Sequence, residues 1–327
     1  MKPELPQTPR KKNRKQVILK SVVSCVLLGY LLYTAELTSI WDALKQASPL
    51  WILISFSLHI IGFLLTVYRW QMLLAVRGTH LSIWYLLRSL AIGIFFNNFL
   101  PSTVGGDVYR AYDTAEHVGS KTESMTIVVV ERLTGMFALG LFGVFALALG
   151  FSYFGRIPII WLALGGLGGA FAVFISATNH HVARNITRLF EHPKLLKLPV
   201  LSKVRTKLQQ IYGALQVYKQ NRRVMFMAFL LALLLQINVI VHYYFIAYAL
   251  DLPVPLLYFF LIIPVVTVVL MVPVFINGIG GREAAYILLL GQFGVSQSEA
   301  IAFSWIAFGM ILVQGIIGGI IYAMRKT

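Results

Sequence analysis

Phe95-Phe96-Asn97-Asn98-Phe99-Leu100-Pro101-Ser102-Thr103-Val104-Gly105-Gly106-Asp107 closes one apolar stretch of the chain, and Val272-Pro273-Val274-Phe275-Ile276-Asn277-Gly278-Ile279-Gly280-Gly281-Arg282 closes another in the same manner. The likeness extends outward from these breaks. Gly119 and Gly294 each follow their Gly pair by thirteen residues, and Gly135-Met136 and Gly309-Met310 fall inside the next apolar run. Upstream, Arg69 precedes Tyr85 by sixteen residues and His242 precedes Tyr258 by sixteen. Corresponding segments interrupted by Gly and Pro in two halves of a chain point to a membrane carrier built on an internal duplication.

Composition places the chain in a bilayer. Of its 327 residues 58% are hydrophobic and 12% charged, against about 25% charged in a soluble domain; the mean hydropathy is +0.77. Six runs, near 17–35, 49–68, 124–150, 157–178, 224–250 and 298–323, are long and apolar enough to cross about 30 Å of hydrocarbon. Two more, near 82–100 and 255–276, end in the Pro and Gly breaks and read as broken or re-entrant helices. The expected fold is an all-α polytopic membrane protein with about six full transmembrane helices and two broken segments. A basic arm over 1–16 precedes one transmembrane domain over 17–327, with half one near 49–150, half two near 224–323 and a basic linker near 179–223.

The net charge of +16 invites a nucleic-acid reading, but its distribution serves topology instead. With the N-terminus in the cytoplasm, 24 of the 28 Lys and Arg lie inside, against Lys45, Arg156 and Arg282 outside and Arg132 within a span. This positive-inside bias puts both termini in the cytoplasm of a bacterial-type plasma membrane. The first Gly-Gly turn then belongs to the cytoplasmic side and the second to the opposite side, so the repeats are expected to be inverted. Cys25, the single cysteine, cannot form an intrachain disulfide. In the linker, Leu201, Val204, Leu208, Ile211, Leu215 and Tyr218 share one helical face. That face lies either on the anionic leaflet or against the ends of the spans.

Charges at membrane depth are candidates for function. Glu131 and Arg132 lie seven or eight residues into the span 124–150; they either neutralise each other or a neighbouring helix, or face a cavity. Asp107 and Arg110 share a face three residues apart, and Arg282 and Glu283 follow the second Gly pair. A helix starting after Gly-Gly offers free N–H groups to a phosphate or carboxylate, although Asp107 could equally be a simple cap. Asn97, Asn98, Ser102, Thr103 and Asn277 can satisfy backbone groups freed where Pro101, Gly105, Gly106, Pro273, Gly280 and Gly281 break the helices. No metalloprotease motif, P-loop or Cys/His metal cluster occurs, and the carboxylates Asp107, Asp113, Glu116 and Glu123 are loosely spaced around Arg110. No cofactor, metal or catalytic residue is expected.

The stretch from Asn98 to Arg110, Glu131-Arg132, and the block from Asn277 to Ala285 together resemble the lysylphosphatidylglycerol synthase transmembrane-domain family of flippase-like membrane proteins. The resemblance covers nearly the whole chain. It implies lipid handling, since the similar region of the bifunctional members is implicated in moving aminoacylated phosphatidylglycerol between leaflets. A separate soluble domain makes that lipid there; this sequence reaches Thr327 only four residues past the last apolar run, so a stand-alone member without aminoacyl transfer is expected. The leading expectation is a translocase for a polar or anionic headgroup, with phospholipid or polyprenyl-phosphate lipids as partners. The other class is an intramembrane lipid- or polyprenol-modifying enzyme or an accessory subunit of a glycolipid pathway. A scaffold would tolerate neutralising the motif charges.

Overall fold

The computed structural model describes residues 29–33, 37–99, 105–178, 217–218, 220–271, 275 and 277–325. Pro101, Ser102, Thr103, Pro273, the basic arm, most of the run 17–35 and the linker stripe up to Leu215 lie outside these residues. The described helices of ten residues or more are α1 (Leu37–Gln46), α2 (Pro49–Ala75), α3 (Ile83–Phe99), α4 (Gly105–Val118), α5 (Lys121–Leu149), α6 (Pro158–Thr178), α7 (Arg222–Ala249), α8 (Leu256–Met271), α9 (Gly281–Leu290) and α10 (Gln297–Met324). Among the described residues there is no strand.

Four of these helices, α2, α5, α7 and α10, are 27 to 29 residues long and apolar enough to cross a membrane. At about 1.5 Å per residue each is roughly 40 Å long, more than the hydrocarbon requires. Local signals set where they begin: Pro49 opens α2, the Ser120 hydroxyl accepts from Glu123 N at the start of α5, and Ser296 and Glu299 form a capping box on α10. Helix α6 fills the expected span near 157–178. Helix α1 was not foreshadowed by the apolar runs; it is short and amphipathic, and it buries Ile40 against Ile301 and Ala302 of α10.

The two broken segments are re-entrant hairpins. The Asn97 side-chain oxygen accepts from Gly106 N at 2.7 Å, and the Tyr85 hydroxyl donates to the Asp113 carbonyl at 2.9 Å, so α4 returns along α3. The approach is so close that a Cβ on Gly106 would lie 2.0 Å from the Gly93 carbonyl oxygen, which excludes any other residue there. In the second hairpin Asn277, Gly278 and Gly280 take positive φ (51°, 75° and 82°), and α9 returns so that Phe293 meets Tyr258 with ring centroids 4.7 Å apart. The hairpins open to opposite ends of the molecule. Arg77 pairs with Glu123 at 3.1 Å at the mouth of the first. At the other end Ser48 N donates to the Ala249 carbonyl, beside the mouth of the second.

Packing between the halves follows a two-fold pattern. Helices α2 and α7 pack along their length in opposite directions: Trp51 meets Tyr248 at one end, and the Tyr218 hydroxyl donates to the Leu73 carbonyl at the other. Helix α10 packs on α3 and α5 on α8, so the last helix of each half covers the broken helix of the other. Both pairs are antiparallel, as shown by Asn98 donating to the Ile311 carbonyl while Gly318 presses on Ala91, and by Phe142 meeting Phe260 while Gly150 meets Tyr258. Because the corresponding helices α2 and α7 run oppositely, the two halves are inverted with respect to each other.

Arg77, Lys121, Arg222, Arg223 and Arg325 gather at one end, with Lys45 and Arg156 at the other. Arg69, Arg110 and Arg282, which the sequence count assigned to flanking segments, are instead each only 5% exposed. The charge bias survives their removal. With Cys25 replaced by Ser, Lys121→Cys and Gln292→Cys should react with a membrane-impermeant maleimide from opposite faces of sealed vesicles. Reaction of both from one face would contradict the inversion.

Candidate functional site

Five charged side chains from three helices meet at membrane depth. Glu131 lies ten residues into α5, about 15 Å from its start and near the middle of a bilayer. One carboxylate oxygen accepts from Arg69 of α2 at 3.1 Å and the other from Arg110 of α4 at 2.6 Å. Asp107 of α4 accepts from Arg132 Nε at 2.7 Å and lies 3.9 Å from Arg110. Glu131 and Arg132 therefore do not pair with each other; consecutive residues point about 100° apart on a helix, and each reaches a different partner. Stripping Arg132 would leave Asp107 with Arg110 alone, at 3.9 Å, and would leave the partners of Glu131 in place. The Arg110 guanidinium also sits 4.0 Å from the Trp70 ring centroid, a cation–π contact in a dry setting.

Arg69, Arg110, Glu131 and Asp107 are buried, whereas the Arg132 side chain is 48% exposed. Three arginines against two carboxylates leave one positive charge in excess. These residues line a cavity of about 310 Å³, which Gln236 of α7 and Thr267 and Met271 of α8 close from the second half. Arg69 Nη1 and Nε are buried without a protein partner. Gly135 keeps the space before Nη1 open, since a Cβ there would meet nothing but that nitrogen, at 3.8 Å. The cavity between the two inverted halves is thus lined by an arginine with unused hydrogen-bond donors.

The remaining candidates have other neighbours. Asn98 and Asn277 sit at the hairpin tips, where Asn277 donates to the Asn98 carbonyl at 3.4 Å. Arg282 donates to the Asn277 carbonyl at 2.8 Å and lies 4.4 Å from the Phe308 ring centroid. Glu283 accepts from Gly280 N at 2.7 Å and from the Ser304 hydroxyl at 2.8 Å. The start of α9 is thereby capped by its own Glu283, and neither Arg282 nor Glu283 lines the charged cavity. Asp113 is drawn to Arg325 at 2.6 Å and Glu123 to Arg77, so the loosely spaced carboxylates disperse onto different arginines. Burial opposes the Arg325 charge, yet the hydrogen bond to Asp113 raises its pKa above the ordinary value.

Arg69 is the site residue that sequence reading missed. The apolar run was ended at residue 68, which made Arg69 a flanking charge, but α2 continues to Ala75 and carries it inside. The signal was present in Trp70-Gln71-Met72-Leu73-Leu74, whose apolar positions bury Trp70, Leu73 and Leu74 completely. Glu131→Gln keeps the shape of the cluster but leaves Arg69 and Arg110 adjacent and uncompensated. Removing one partner of a buried pair costs about 3–5 kcal/mol, so this change should sharply lower the temperature at which detergent-purified protein loses its monodisperse peak. Arg132→Gln, at a half-exposed position, should lower it far less; equal effects would contradict the asymmetry of burial.

Comparison with known proteins agrees with this architecture. The family described as "Lysylphosphatidylglycerol synthase TM region" matches residues 17–319. A UPF0104 membrane protein of Methanocaldococcus jannaschii is 23% identical over 230 residues, 64% of this chain and 65% of that relative, so the match spans just under two thirds of the relative. One from Methanothermobacter thermautotrophicus is 30% identical over 113 residues, 35% of this chain and 32% of the relative. Another from the same organism is 23% identical over 316 residues, 90% of this chain and 92% of the relative. With a family match running through both hairpins and the charged cavity, this integral membrane protein belongs to the lysylphosphatidylglycerol synthase TM-region family.

Proposed function

We propose that this protein translocates lipids, passing an anionic headgroup through the cavity between its inverted halves while the acyl or polyprenyl tails stay in the bilayer. The observation that carries this reading is Arg69, a buried cation that lines the cavity and whose Nη1 has no protein partner. A phosphate is the natural complement, because charge-assisted hydrogen bonds from arginine to phosphate are short and strong. Arg132 supplies a second cation at the more accessible side, held in place by Asp107. Glu131 fixes Arg69 and Arg110 and prevents their mutual repulsion. Thr66, Asn97 and Gln236 add neutral polar groups for the rest of a headgroup. By the positive-inside rule we place the basic end, and with it both termini, in the cytoplasm of a plasma membrane.

The test is leaflet transfer of fluorescent phosphatidylglycerol in vesicles carrying the purified protein. Arg69→Gln removes one charge-assisted bond, worth about 1.5–3 kcal/mol, so transfer at limiting lipid should fall tenfold or more. Gly135→Leu should abolish transfer by filling the cavity while leaving all five charges in place. Chemical turnover of the lipid in detergent micelles, where no second leaflet exists, would instead favour a lipid-modifying enzyme. Full activity of both variants would place the pathway elsewhere.

A further inference from the structure

The seam between α2 and α7 carries a polar stripe that runs on beyond the headgroup cavity. Ser55, His59, Gly62, Thr66 and Arg69 follow at steps of four and three along one face of α2. From α7, His242 meets Ser55 and His59, Asn238 reaches within 3.2 Å of the Cβ position of Gly62, and Gln236 lines the cavity. At about 1.5 Å per residue the stripe from Ser55 to Arg69 covers roughly 21 Å. One end is the charged cavity; the other approaches the opposite face of the membrane.

His242 is held in a defined tautomer. The Ser55 hydroxyl donates to the His242 carbonyl at 2.8 Å and lies 2.7 Å from His242 Nδ1. Nδ1 is also 3.0 Å from the Ser55 carbonyl oxygen, which can only accept, so Nδ1 carries the ring proton. In neutral His242 the basic lone pair is therefore on Nε2. The His59 ring lies 4.2 Å from the His242 ring, and His59 Nε2 is buried without a protein partner. Around the pair stand Phe56 of α2 and Tyr243 of α7, and beyond Tyr243 lie Tyr286 of α9 and Phe303 of α10. Arg282 and Glu283 precede Tyr286 on α9, but Glu283 is engaged by Ser304 and Gly280. Among the described residues no ion pair reaches either imidazole. Two adjacent imidazoles without an acid can hold one proton between them, since a second would set like charges side by side.

We propose that His59 and His242 form a one-proton binding site at bilayer depth, and that its occupancy is coupled to headgroup movement along the α2–α7 seam. The coupling rests on the translocase reading above, whereas the proton site does not. The proton comes from one aqueous phase and leaves to the other, and no bond in the lipid changes. When the pair is occupied it adds a second cationic station on the same face of α2 as Arg69, which favours advance of an anionic headgroup; release of the proton removes it.

Nitrogen-labelled histidine in the purified full chain, followed by NMR between about pH 4 and 9, tests the site directly. His242→Asn keeps a donor for the Ser55 carbonyl but lacks Nε2, and His59→Gln keeps hydrogen bonding without a titrating ring. One shared titration lost in either variant supports the site; two independent titrations, or none, overturn it. In vesicles of phosphatidylglycerol and phosphatidylethanolamine, one proton per lipid would let a gradient of 1 pH unit hold about a tenfold asymmetry of fluorescent phosphatidylglycerol. That asymmetry should reverse with the gradient and vanish in both variants. Lipid transfer that ignores the gradient overturns the coupling. A shared titration with no transfer under any gradient leaves the proton site standing and removes the translocase reading instead.

Discussion

The carboxylate of Glu131, clamped by Arg69 at 3.1 Å and Arg110 at 2.6 Å, is the constraint on which the first half of the molecule depends. On a protein surface such contacts contribute little. At the bilayer centre a single charge costs about 2.5–3.5 kcal/mol on insertion scales, so each of these groups is tolerable only with its partners in place. Three helices are locked by that requirement. Helix α2 must continue past residue 68 to present Arg69, the α3–α4 hairpin must enter the membrane to present Arg110, and α5 must align Glu131 between them. The close contact of Gly106 with Gly93 serves the same end, since it draws α4 against α3 at the depth where Asp107 and Arg110 are needed.

The scaffold is duplicated but the chemistry is not. Both halves run span, broken helix, Gly-Gly turn, short helix, span, and each lends its last span to the other's broken helix. Yet the charged cavity is built from α2, α4 and α5, while the second half contributes Gln236, Thr267 and Met271 to its wall. At the second turn Arg282 folds back on the Asn277 carbonyl and Phe308, and Glu283 caps its own helix. By spacing from the following tyrosine, the position that holds Arg69 in half one holds His242 in half two. A permanent cation and a titratable base thus occupy related places on opposite helices of the central seam.

Much of this is legible in the sequence. The breaks, four of the six expected spans as helices of 27 residues or more, and the inversion follow from apolar run lengths, Gly and Pro spacing and charge bias, because the bilayer forces those patterns on any chain that crosses it. Asp107, Arg110, Glu131 and Arg132 stood out as charges inside or beside apolar runs. Their pairing was not legible: Glu131 to Arg69 is a separation of 62 residues, and only the re-entrant path of α3 and α4 brings Arg110 to the same carboxylate. Adjacent Glu131 and Arg132 suggested a local pair that helix geometry forbids. Helix α1 escaped because ten residues with a mixed polar face have no apolar run to announce them.

The central claim is that the cavity beside Arg69 receives an anionic headgroup. Native mass spectrometry of protein released from its own membrane, comparing the parent chain with Arg69→Gln and with Gly135→Leu, addresses that claim most directly. The parent should retain a phosphate-bearing lipid through mild activation, and both variants should lose it while remaining folded. A parent chain that carries no anionic lipid, or variants that retain it equally, would contradict the account.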